Sequence, residues 1–159
     1  MALKQPDEIA RTAVKTGVTK ARTSWDKTLV ASFLAGAYIS FGGLVAITVS
    51  SGLDPEVWGT LPTLFTGIAF TLGLVLVLLA GSSLLTGNML LVPLSAMKGR
   101  LSAMEVVRNL GLVLLGNVVG ALFVAYFLAV ADALAAGTPM GPELVHPLWE
   151  RFGIAVSGV

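Results

Sequence analysis

Residues 61–97 read LPTLFTGIAFTLGLVLVLLAGSSLLTGNMLLVPLSAM, without a single Asp, Glu, Lys or Arg. A helix that crosses a bilayer needs roughly 20 apolar residues, so this run approaches the length of two. Its middle is not a polar loop between two clean helices. Ala80, Gly81, Ser82 and Ser83 loosen the apolar pattern, Thr86, Gly87 and Asn88 interrupt it, and apolar residues resume at Met89. Gly lowers helix propensity by about 1 kcal/mol relative to Ala, and Ser and Asn offer the backbone local hydrogen bonds. The expectation is a helix entering the bilayer, a non-helical stretch within residues 81–88 near mid-crossing, and a short second segment completing it. Irregular backbone at membrane depth survives only where protein or a water-filled cavity satisfies it, and broken helices are where transporter sites tend to lie. Residues 82–88 are therefore the expected functional centre.

Composition supports a membrane protein. Hydrophobic residues make up 55% and charged residues 12% of the 159 positions, with a mean hydropathy of +0.88. Soluble domains carry about 25% charged residues. A net charge of +1 and the lack of a basic stripe argue against nucleic acid. The absence of cysteine excludes disulfides and thiolate chemistry, and one His with acids outside the apolar runs builds no metal centre. No nucleophile–base pair or phosphate loop is visible, so no enzyme, catalytic residue, metal or cofactor is expected. Residues 1–27 are charged and contain no signal-peptide core.

The expected architecture is all-α, with three transmembrane helices of which the second is broken. Residues 1–28 form a cytoplasmic amphipathic N-terminal segment, helical over 6–27. Pro6, Asp7 and Glu8 suit its first turn. Ile9, Val14, Val18, Ala21 and Trp25 share one face, so the helix either lies in the membrane interface or packs on the protein; Gly17 weakens its middle. A three-span domain occupies 29–135, with crossings near 29–49, 61–97 and 106–130. Gly36 in the first span and Gly116 and Gly120 in the third mark close helix packing, since membrane interfaces rely on fit. Asn117 between them either hydrogen-bonds a neighbouring helix or lines a pore. Residues 136–159 read as an external loop containing His146, followed by the start of an incomplete fourth segment.

Orientation follows from the basic residues. Six lie in the N-terminal segment and three between 98 and 108, with none in the 50–60 turn. The positive-inside rule then places the N-terminus and the 98–108 loop in the cytoplasm of an inner (plasma) membrane.

Four stretches together resemble the formate/nitrite transporter family: PDEIA…KA at the N-terminus, AGAYISFGGL (35–44), FTLGLVLVLLAGSSLLTGN (70–88) and GNVVGAL (116–122). Members of that family are pentameric channels or transporters for small monovalent anions, each protomer holding six spans in two inverted three-span repeats. The resemblance covers nearly the whole chain but only the first repeat, which implies half of an inverted-repeat channel fold. The family's pore histidine, functional asparagine and loop lysine belong to the second repeat, and His146 is no stand-in. This chain has Ser83 where many members carry Glu, and Leu85 where Phe is usual.

The resemblance implies an omega-type loop holding Ser83, Thr86, Gly87 and Asn88. Thr86 would face the pore or cap a helix end, Gly87 would supply a torsion closed to other residues, and Asn88 would cap the segment after it. Phe70, Leu74, Leu84 and Leu85 match apolar constrictions, which penalise an anion far more than its neutral acid. The implied activity is a channel or transporter for formate, nitrite or a similar anion, working as a homo-oligomer in the lipid bilayer. The alternative is a non-transporting membrane scaffold or truncated remnant.

Overall fold

A computed structural model describes residues 5–50 and 53–135; the expected loop at 136–159, with His146, lies outside them. The described residues form six helices: α1 (Pro6–Arg22), α2 (Trp25–Ser50), α3 (Pro55–Trp58), α4 (Leu61–Leu79), α5 (Leu85–Met97) and α6 (Ala103–Ala135).

Helix α1 starts on Pro6 with Asp7 and Glu8 in its first turn, and ends with Lys20 and Arg22 in its last. Acids at the positive end and bases at the negative end both favour the helix. It stops short of the expected residue 27. Thr23 is extended, the chain turns, and Trp25 opens α2 instead of closing α1. Helix α2 is 26 residues long, about 39 Å at 1.5 Å per residue, and exceeds the expected 29–49 at both ends. Asp54 caps α3 by accepting from the Glu56 N–H at 2.9 Å, and Gly59, with φ of 58°, closes that turn.

Helices α2, α4 and α6 are each long and apolar enough to cross a membrane. Helix α2 is the centre of the three and packs on both others. Only 28% of its most apolar window is buried, and 17% of those of α4 and α6, so their Leu, Val and Phe side chains face outward. Such surfaces call for lipid or another apolar partner. This is an all-helical membrane protein.

Small residues set the helix separations. Gly36 of α2 sits against the Asn117 backbone, and Gly116 and Gly120 of α6 against Ser32 and Phe33; a Cβ at any of them would collide. Gly42 and Gly73 do the same between α2 and α4. The α2 and α6 glycine faces are thus consumed inside the chain.

The amphipathic helix packs on protein. Its apolar residues Val18 and Ala21 join Val92, Ala96, Leu101 and Val106 in a small core with α5 and α6. Gly17, expected to weaken α1, is instead its closest contact, buried against Leu91 and Ser95. The Ser95 hydroxyl donates to the Val14 carbonyl at 2.9 Å across this seam. Arg22 adds a pair with Glu105 at 3.3 Å and donates to the Arg100 carbonyl.

Candidate functional site

The apolar run 61–97 is broken over residues 80–84. Helix α4 ends in a Schellman motif: Ser82 N–H bonds the Val77 carbonyl and Gly81 N–H the Leu78 carbonyl, with Gly81 at φ of 62°. A residue with a Cβ pays for that left-handed torsion, so Gly81 carries the role expected of Gly87. Leu84 is extended, and α5 begins at Leu85. Thr86, Gly87 and Asn88 therefore belong to the start of α5, and of the expected loop residues only Ser83 lies in the break. Helix α4 is 19 residues, about 28 Å, and α5 is 13, about 20 Å, so the uncharged stretch is two helical pieces joined at the break.

Neighbouring helices satisfy its backbone. Ser83 N–H donates to the Ala31 carbonyl of α2 at 3.1 Å. The Asn117 side chain adds three more bonds. Its Oδ1 accepts from Leu85 N–H at 2.9 Å, and its Nδ2 donates to the Ser32 and Ser83 carbonyls at 2.8 and 3.0 Å. Leu84 offers no side-chain cap, so Asn117, from α6, caps α5 across the interface. Asn117 thus hydrogen-bonds neighbouring helices, the first of the two readings left open by the sequence.

Lys20, at the end of α1, reaches the same place. Its Nζ donates to the Ser83 hydroxyl at 3.2 Å and to the Ser82 carbonyl at 3.5 Å. Burial lowers its pKa below the ordinary 10.5, because the desolvated ammonium is the costlier form. Nothing in the apolar pattern singled out Lys20; only contact with a break 62 residues away gives it meaning.

Asn88 is not a cap. It is buried, and its Nδ2 donates to Asn109 Oδ1 at 2.9 Å, while Asn109 Nδ2 donates to the Lys20 carbonyl at 3.0 Å. This amide chain ties α5, α6 and α1 together one level from the break. Asn109 was missed in the sequence, although an amide eight residues before Asn117 in an apolar helix was a signal. Among the described residues, Ser82 Oγ and Asn88 Oδ1 are buried without a partner.

Thr86 and Gly87 point elsewhere. Both are exposed on a surface that no other part of the described chain covers. As first-turn residues their N–H groups have no intrahelical acceptor, and they stand at the positive end of the α5 dipole. Phe70 and Leu74 lie one turn apart on α4, each 45% exposed, while Leu84 and Leu85 at the break are half-buried. Phe70 also packs on Gly43 of α2.

The profile of the formate/nitrite transporter family matches residues 7–152. An uncharacterised transporter of Bacillus subtilis, YrhG, is 42% identical over 91% of this chain and 53% of its own length. A probable formate transporter of Methanothermobacter thermautotrophicus is 41% identical over 87% of this chain and 51% of its own. The formate channel BtFdhC of Bacillus thuringiensis is 37% identical over 96% and 60%. The chain spans roughly half to three-fifths of the length of these relatives, whose names are those of transporters and channels, not enzymes. A crossing helix broken at AGSS, clamped by the asparagine of GNVVGAL, thus sits within a match over nearly the whole chain, and the chain belongs to the formate/nitrite transporter family.

Proposed function

We propose that this chain forms one wall of a pathway for a small monovalent anion, formate or nitrite, across the inner membrane. The observation that carries the reading is the start of α5. A crossing helix is interrupted, and the next one begins with the Thr86 and Gly87 N–H groups and the Thr86 hydroxyl on an uncovered surface. Half-helix N-termini of this kind attract anionic substrate groups, because free N–H groups and the dipole act together. Lys20 adds a positive charge at the far side of the same break. Phe70, Leu74, Leu84 and Leu85 supply the apolar surroundings, which favour the protonated acid over the bare anion by several kcal/mol. In this reading the anion is drawn to the charged end, takes a proton from water there, and passes the apolar groups as the neutral acid.

In this reading the facing wall comes from the part of the relatives that the chain does not span, and the assembly is a homo-oligomer, a pentamer by family likeness. The N-terminus is cytoplasmic. The test is flux into liposomes. The 159-residue chain alone should give no saturable formate or nitrite uptake. Co-expressed with a second chain carrying the remaining region of the Bacillus thuringiensis relative, it should give pH-dependent uptake. Saturable flux from the chain alone contradicts the one-wall reading, and no flux from the pair contradicts the anion pathway.

A further inference from the structure

A second basic surface lies away from the break. Helix α1 and the α5–α6 turn enclose a groove of about 870 Å³, rimmed by Arg11, Lys15, Lys98 and Arg100 and floored by Val14 and Leu94. The four cations are exposed, and none pairs with a carboxylate; among the described residues the one ion pair is Arg22–Glu105. Among the described residues Asp7 is the only acid on the rim. The sequence and exposure around the groove place it where charge returns. The uncharged run ends at Met97 and charge resumes at Lys98, while Met97, Met104 and Val107 nearby are strongly exposed. Charge returning beside exposed apolar side chains marks the headgroup boundary.

From this we infer that the groove is a binding site for an anionic phospholipid, its phosphodiester held by Arg11, Lys15, Lys98 and Arg100 and the upper acyl chain lying on Val14 and Leu94. A transported anion does not fit these features. It carries one charge against four cations and gains nothing from an apolar floor. A phospholipid uses both, since each basic group near the surface strengthens its attachment and its chain removes apolar side chains from water. Occupancy also gives a reason for α1 to stay docked, because the headgroup bridges α1 to the turn after α5.

The test is native mass spectrometry of the chain released from detergent containing phosphatidylglycerol and phosphatidylcholine in equal amounts. Phosphatidylglycerol should be retained about tenfold over phosphatidylcholine. The double variant Lys98→Gln/Arg100→Gln, in the exposed turn, should bring that ratio close to one, since two cations at roughly fivefold each account for all of it. Lys27→Gln, outside the groove, should keep it. Equal retention of the two lipids, or a preference unchanged in the double variant with its helicity intact, overturns the inference. So does displacement of the lipid by millimolar inorganic phosphate or by an acidic peptide, which would assign the groove to a soluble anion or a protein segment. Raised salt gives a readout independent of any variant, and phosphatidylglycerol retention insensitive to it also counts against the site.

Discussion

Asn117 is the residue on which the break depends. One amide satisfies Leu85 N–H and the Ser83 carbonyl and holds both to Ser32 of α2, where unsatisfied groups in hydrocarbon cost several kcal/mol each. Asn117→Ala should destabilise the protein by about 2–4 kcal/mol, as expected for stranding two buried backbone groups. Ser82→Ala should be neutral or slightly stabilising, because its buried hydroxyl has no partner to lose. Unfolding followed in mild detergent distinguishes the two, and an equal loss in both variants would show that Asn117 is not the clamp. The sequence announced a break and an asparagine separately. It did not announce that they meet, since nothing local to either records a contact between residues 83 and 117.

At the scale of elements, the sequence was read well wherever apolar length decides, and less well where ends are set by contact. Crossings near 29–49 and 106–130 lie within the longer helices α2 and α6. The break was foreseen within 81–88 but lies at 80–84, since Gly81 closes a Schellman motif while Thr86, Gly87 and Asn88 are carried along in α5. Gly17 was misjudged for a similar reason. Helix propensity counts against a mid-helix glycine, yet here it admits the α5 backbone. Gly17→Val should push α1 off α5, costing about 1–3 kcal/mol by overpacking. Limited proteolysis should then cut within residues 5–22 first, and unchanged protection of α1 would refute the close-contact role.

For the whole molecule, the account requires α1 and the α5–α6 turn on one side of the membrane and α3 on the other. The chain contains no cysteine, so single introduced thiols report cleanly. In intact cells Lys98→Cys should be shielded from an impermeant maleimide and Glu56→Cys labelled, and the reverse pattern would invert the orientation. The same property gives the most direct test of the anion pathway, in membranes of cells expressing the chain with the remaining region of a relative. Thr86→Cys should react with a negatively charged thiosulfonate, and formate or nitrite should slow that reaction, whereas Leu122→Cys, outward on α6, should stay inert. A Thr86→Cys thiol that never reacts, or reacts at a rate no small anion alters, would contradict the claim that α5 begins at an anion path.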